Sequence, residues 1–336
     1  MRRLLLALAA CGILGLAAAV GAVQWFDHAW TAPGPLSGER VVVVERGEGL
    51  EQIAARLIAA GALHPEPLRG RWPFLLGARL TGAARALKAG EYAIPAGASP
   101  AAIAALLVEG RALVRRLTVP EGLTTAEVLA LVAAAEGLVG PPPQPPPAEG
   151  SLLPETYHYQ RGDSRAGLVR RMEQAMREAL AEAWAARAEG LPLADPGEAL
   201  VLASIIEKET AVAAERARVA AVFVNRLRRG MRLQSDPTAA FGLAAGAPLG
   251  RELTRADLRA ANPYNTYVID GLPPGPIANP GRDSLRAATR PAVTDELYFV
   301  ADGSGGHAFA RTLADHNRNV AAWRRLQRQR GAAPED

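Results

Sequence analysis

The stretch Ala199-Leu200-Val201-Leu202-Ala203-Ser204-Ile205-Ile206-Glu207-Lys208-Glu209-Thr210 restricts the fold more than any other part of this chain. Read as a helix it is apolar on nearly every side, so other elements have to enclose it. Yet it carries two carboxylates within three positions. Side chains three and four apart share a helix face, which groups Glu209 with Ile205, Ile206, Val212 and Ala213, and Glu207 with Ala203, Ser204, Thr210 and Ala211. Desolvation raises the pKa of a carboxylic acid and keeps it protonated near neutrality, the state a general acid requires. Glu209, in the more apolar surroundings, is the first candidate for that role. The competing explanation is a plain helix end whose charged side chains reach solvent.

A chain of 336 residues has room for two compact domains, and a hydrophobic content of 49% excludes wholesale disorder. The net charge is +4, but the basic residues are almost all Arg and are scattered rather than gathered into a stripe, which argues against nucleic-acid binding. Lysine occurs only at positions 88 and 208. The single cysteine, Cys11, allows no intramolecular disulfide and no thiolate zinc site.

Leu4 to Val23 is an apolar run preceded by Arg2 and Arg3. At about 1.5 Å per residue, some twenty residues just cross a bilayer core of roughly 30 Å. The arginines favour a cytoplasmic start, with Trp25, Phe26 and Trp30 at the far interface and the rest of the chain outside. An uncleaved anchor is preferred over a signal peptide cut near Ala17-Ala18-Ala19, because the apolar region is long for a signal. Residues 1–26 are therefore read as cytoplasmic start and anchor, and 27–38 as a Pro/Gly linker.

Residues 39–111 read as a small α/β module. Val41 to Val44 is a β-branched strand, and Leu50, Ile53, Ala54, Leu57 and Ile58 recur at helical spacing. Ala89 to Ile94 returns as a second strand, and Ser99-Pro100 offers an N-cap and first-turn proline for a helix closing at Gly110. This βααβ-like order resembles a LysM-type domain, a fold that grips the sugar backbone of cell-wall polymers.

Residues 112–330 read as a mixed helical and short-strand domain, so the fold class is α+β. A strand over Leu113–Val119 leads to the capping box Thr124-Thr125-Ala126-Glu127 and an alanine-rich helix, followed by a proline-rich loop from Gly140 to Pro147. Gly167 to Glu189 is an amphipathic helix with Leu168, Met172, Met176, Leu180 and Trp184 on its core stripe. Beyond the glutamate helix, Val219, Val222, Phe223 and Leu227 mark another that stops at Gly230. Long loops dense in Pro, Gly, Asn and Tyr follow, of the shaped kind on which sites are built. Leu297–Ala301 and His307–Phe309 flank a hairpin turn, and a basic helix over Asn317–Arg330 closes the pattern.

No G-x-S-x-G, H-E-x-x-H, P-loop or G-x-G-x-x-G occurs, and five scattered histidines do not suggest a metal site. Ser204 and Lys208 lack the spacing of serine–lysine acylases. Carboxylate chemistry beside neutral Asn, Gln and Tyr donors remains, and it suits a sugar polymer.

The motifs Leu202 to Thr210, Asn225-Arg226-Leu227, Met231 to Thr238, Tyr264-Asn265-Thr266-Tyr267, Gly271 to Ile277 and Tyr298-Phe299-Val300-Ala301, in that order, resemble the endolytic murein transglycosylase (MltG or YceG-like) family. The resemblance implies an inner-membrane protein whose periplasmic part cuts nascent peptidoglycan strands near the synthases, which would be its partners. It implies no cofactor and no metal. One glutamate would protonate the bond between N-acetylmuramic acid and N-acetylglucosamine and then help close a 1,6-anhydro ring. That glutamate maps to Glu209, with Glu207 as the alternative. Glu149, Glu155, Gln234, Asp236, Tyr264, Asn265 and Tyr267 are expected to line the cleft. Leu153-Pro154-Glu155 departs from the family's Phe-Pro-Asp. A non-catalytic peptidoglycan-binding scaffold and a hydrolytic muramidase are the alternatives.

Overall fold

The apolar run after the two arginines becomes one long helix in the computed structural model, which describes residues 2–244, 246–247 and 249–331. Helix α1 (Arg2–Thr31) is long and apolar enough over Leu8–Thr31 to cross a membrane, and its Ile13, Leu14, Leu16 and Val23 are exposed. It also takes in Asp27–Thr31, where the sequence suggested the start of a linker. No proline interrupts the helix before Pro33, and the Thr31 hydroxyl donates back to Asp27 O (2.7 Å).

The chain divides into two units. The first holds the residues up to Arg115 together with His158–Asp163. After α1 come β1 (Arg40–Val44), α2 (Leu50–Ala59), α3 (Arg71–Leu80), β2 (Gly90–Ile94) and α4 (Pro100–Glu109). β1 and β2 pair antiparallel, with Val42 opposite Tyr92 and Val44 opposite Gly90. Val42, Val44, Ile53, Leu57, Phe74, Tyr92, Ile94, Ile103 and Leu107 form the core. Local chemistry sets the ends of α4: the Ser99 hydroxyl accepts from Ala102 N, Pro100 needs no partner in the first turn, and Gly110 takes the left-handed C-cap (φ 74°). The strand–helix–helix–strand order is as expected, and so is α4, which starts after Ser99 and closes at Gly110.

The second unit holds Arg116–Tyr157 and the chain from Ser164 onward. Its elements are β3 (Arg115–Thr118, from Arg116), α5 (Thr125–Ala134), the first half of β4 (Thr156–Tyr159), α6 (Arg165–Ala185), α7 (Pro196–Glu209), α8 (Arg216–Arg228), α9 (Asp236–Ala244), α10 (Arg282–Thr289), β5 (Tyr298–Ala301), β6 (His307–Ala310) and α11 (Leu313–Gly331). The expected capping box is formed: the Thr124 hydroxyl accepts from Glu127 N, and the Glu127 carboxylate accepts from Thr124 N. The glutamate helix α7 is the centre, packed on α6, α8, α9 and α10, with Ala199 and Val201 to Ile206 all buried. Asp195 caps it and Pro196 opens it. It ends at Glu209, and Thr210 is extended (φ −143°, ψ 129°). Val212 and Ala213 therefore leave the helix and do not share a face with Glu209, nor do Thr210 and Ala211 continue the face of Glu207. What surrounds these carboxylates comes from other elements.

A candidate acid–base site at the end of the central helix

The termination of α7 delivers Glu209 to the segment joining α8 to α9, where Ser235 Oγ donates to Glu209 Oε1 at 2.5 Å. That serine is held from several sides. Its N–H donates to Thr266 Oγ1 (2.9 Å), its carbonyl accepts from Thr238 Oγ1 (2.7 Å), and the two threonine hydroxyls bond each other (2.8 Å). Gln234, just before it, has φ 53°, a left-handed conformation that non-glycine residues adopt at a cost. The turn at Gln234 aims Ser235, and the N–H of Gln234 is tied to Thr266 O (3.1 Å).

Burial pushes the Glu209 carboxyl up to about 7, and the nearby Asp236 carboxylate adds to the rise. The Ser235 hydrogen bond, His307 and Arg226 work in the opposite direction. Asp236 itself is exposed and accepts from the Tyr267 hydroxyl at 2.6 Å, and desolvation followed by that bond raises the phenol's pKa. Beside this group lies a cleft of about 440 Å³ whose lining includes Lys208, Asp236, Glu127, Phe241 and Arg251. Lys208, next to Glu209 in sequence, and Asp236, whose charge acts on Glu209, both line this cleft, while the Glu209 carboxyl itself lies buried behind them.

Glu207 faces other partners. Its side chain is 5% exposed; one oxygen accepts from Gly281 N (2.9 Å) at the start of α10, and the other from Arg216 (3.4 Å). Arg216 also meets Glu121 (3.1 Å) and Asp283 (3.6 Å). Burial, followed by the charge of Glu207, raises the pKa of Glu121. Glu207 is thus a tethered carboxylate that holds α7 to α10, whereas Glu209 has a hydroxyl donor and a desolvated setting.

Of the other expected lining residues, Asp236 and Tyr267 join the Glu209 group directly, and Gln234 through its turn and a 3.4 Å bond from Arg226. Asn265 is buried and structural: its amide donates to Ala260 O (2.9 Å) and its Oδ1 accepts from Tyr267 N (3.1 Å). Tyr264 packs on Phe241 with ring centroids 4.9 Å apart. Glu149 is taken up by Thr125 N (2.8 Å) and Gly150 N (3.3 Å), and Glu155 by Arg282 (2.7 Å). These four build the frame; the structure does not bring Glu149 or Glu155 into the Glu209 hydrogen-bond group.

Several participants had only a weak sequence signal. Ser235, Thr238 and Thr266 lie inside motifs noted for their neighbours. Arg226 is buried and donates to Leu297 O (2.7 Å) and Leu233 O (2.8 Å), tying the segment before Ser235 to the start of the hairpin. His307, paired with Glu215 at 2.8 Å, comes from the hairpin and had no local signal at all. Among the described residues no group of His, Cys, Asp or Glu is placed to hold a metal ion.

Comparison with known proteins adds to this geometry. Endolytic murein transglycosylases from Bacillus subtilis (strain 168) and Streptococcus pneumoniae (strain D39) are similar in sequence. The first is 38% identical over 172 residues, 51% of this chain and 47% of that protein. The second is 35% identical over 180 residues, 52% of this chain and 32% of that protein. The match thus spans about half the length of one relative and a third of the other. A crystal structure of a yceG-like protein from Listeria monocytogenes is 28% identical, covers 83% of this chain and 98% of that one, and has a TM-score of 0.49. The sequence profile of the YceG-like family matches residues 42–322, from β1 to α11 and including α7, Ser235 and Tyr267. With the profile extending over most of its length, the chain belongs to the YceG-like family.

Proposed function

We propose that the protein is a membrane-anchored lytic transglycosylase that cuts peptidoglycan glycan strands, with Glu209 as its acid–base residue. The observation that carries this reading is the desolvated Glu209 carboxyl, raised to about 7 and held by Ser235, next to Asp236 of the cleft lining. A carboxylic acid poised near neutrality can give and take a proton in one cycle. Protonated Glu209 donates to the oxygen between N-acetylmuramic acid and N-acetylglucosamine, and the C1–O bond breaks. The resulting carboxylate takes the proton of the muramic 6-hydroxyl as that oxygen bonds to C1, which closes a 1,6-anhydro ring. The leaving sugar keeps the first proton and the enzyme regains the second. No water is consumed, so no second carboxylate nucleophile is required.

On this reading Gln234, Asp236 and Tyr267 contact the sugars, while Glu207, Glu149, Glu155, Tyr264 and Asn265 support the cleft. The module after the anchor acts as a LysM-like grip on glycan. α1 is anchored in the inner membrane with Arg2 and Arg3 on the cytoplasmic side. The remainder is periplasmic, where strand synthases are its expected partners. The relatives named endolytic murein transglycosylase support the reaction class.

The test is mass spectrometry of the fragments released from uncrosslinked glycan strands by the detergent-solubilised full chain, beside Glu209→Gln and Glu207→Gln. Anhydro-ended fragments that disappear in Glu209→Gln and persist in Glu207→Gln support the assignment. Reducing ends identify a hydrolytic muramidase instead. Strand binding without cleavage identifies a scaffold.

A further inference from the structure

Helix α3 buries one face and leaves the other apolar and uncovered. Pro73, Phe74, Leu75, Gly77 and Ala78 are buried. Trp72 (53% exposed), Leu76 (41%) and Leu80 (68%) recur every four residues on the outer side, and Leu68 (62%) precedes them on the approach to the helix. Three large apolar side chains at this spacing make a contiguous stripe, unlike the scattered single exposures that are normal on a protein surface. Arginines border it: Arg69 lies beside Leu68, and Arg71 and Arg79 share Glu51 at 2.8 and 3.5 Å.

The position of the stripe says what covers it. Trp30, at the end of α1, lies flat on the backbone of α3 at Gly77, where a Cβ would collide with the indole ring. Residues 72 to 80 extend about 8 Å to one side of Gly77 along the helix and about 5 Å to the other, at roughly 1.5 Å per residue. Trp30 is the next-to-last residue of the span-length segment Leu8–Thr31. Twenty-four residues make about 36 Å of helix, longer than a hydrocarbon core of roughly 30 Å, so Trp30 stands in the headgroup layer. Phe26 stacks on Trp30 at 6.4 Å, and Trp25 lies one residue earlier in the helix. An arginine-bordered stripe of Leu and Trp at that depth has the composition of an interfacial helix.

We propose that the outer face of α3 lies in the bilayer interface, with Leu68, Trp72, Leu76 and Leu80 among the acyl chains and the bordering arginines at anionic headgroups. This rests on the reading of α1 as a membrane anchor. Two elements then hold the first unit to the bilayer, α1 through its length and α3 along its side, and the unit is restrained from swinging on a single helix.

The test uses the full chain with Cys11→Ser, reconstituted in vesicles of phosphatidylcholine with a minority of phosphatidylglycerol. One nitroxide-labelled cysteine is introduced at a time: Leu76→Cys, Leu80→Cys, Ile13→Cys as the lipid reference, and Val293→Cys, fully exposed, as the aqueous reference. Collision with oxygen, which concentrates in lipid, is compared with collision with a water-soluble nickel chelate. The expected result is an oxygen-to-nickel ratio at Leu76 and Leu80 several-fold above that at Val293 and close to that at Ile13. Lipid values at Ile13 with aqueous values at Leu76 and Leu80 overturn the proposal and leave the anchor standing. Aqueous values at Ile13 remove the anchor and the proposal together. Shielding of Leu76 from both reagents means that protein covers the face, such as a second copy of this chain, and also overturns it.

Discussion

At the scale of single residues, the two glutamates of α7 separate by what other elements bring to them. The pKa of Glu209 near 7 sets the pH behaviour expected of the reaction. The protonated acid is lost as pH rises through 7, so kcat/KM falls on the alkaline side with an apparent pKa close to that value. The Ser235 bond favours the ionised form. Ser235→Ala is therefore expected to move the alkaline limb upward by about one pH unit, the equivalent of one hydrogen bond to a charged group, and a pH–rate profile reads this directly. Stability follows the same sign. Folding raises the pKa from 4.5 to about 7, so the native state binds the extra proton between those values and loses stability as pH rises across them. The full cost above pH 7 is on the order of 3 kcal/mol. Glu209→Gln, neutral throughout, is expected to be more stable than the wild type at pH 8 but not at pH 4.5, as measured by urea unfolding at the two pH values. Glu207→Gln removes the charge facing buried Arg216, which keeps Glu121 and Asp283. Its expected cost, at pH 8 too, is about 2 kcal/mol, below the usual figure for breaking a buried pair because two partners remain.

At the scale of elements, helix starts were legible because their chemistry is local. Ser99 with Pro100, and Thr124 with Glu127, cap the helices that the sequence assigns to them. The end of α7 was not legible: the apolar pattern continues through Val212 and Ala213, yet the chain turns extended at Thr210. Loop anchoring was equally hidden. The Ser204 hydroxyl, buried in mid-helix, donates to Val201 O (2.7 Å) and accepts from Ile277 N (3.0 Å), so it fastens the Gly271–Ile277 loop to α7. Ser204→Ala leaves that buried N–H without its acceptor, and a loss of about 1–3 kcal/mol in urea unfolding is expected. Asn279, wholly buried, likewise bonds Leu123 O (2.9 Å) and Leu152 N (2.8 Å), contacts with residues far away in sequence.

At the scale of the whole molecule, α1 supplies one helix of span length, and its Ile13, Leu14, Leu16 and Val23 side chains are exposed. The full chain is expected to stay with the membrane fraction through high salt and carbonate washing and to leave it only with detergent. Recovery as a soluble protein shortened near Ala19 would instead mean that the segment is removed. The amino-acid sequence by itself determined the span-length helix, most strands and helices of each unit though not β4, α9 or α10, the burial of the apolar part of the Ala199–Thr210 segment and the two carboxylates it carries. Those follow from periodicity, capping and apolar content, which act over a few neighbouring residues. Only the tertiary structure decided which carboxylate became tethered and which became desolvated. Glu207 meets Gly281 and Arg216, while Glu209 meets Ser235, with Asp236 and His307 close enough to act on its charge. A pKa is set by the charges, donors and burial that surround a group in space, and for these two glutamates those surroundings come from segments up to about a hundred residues away.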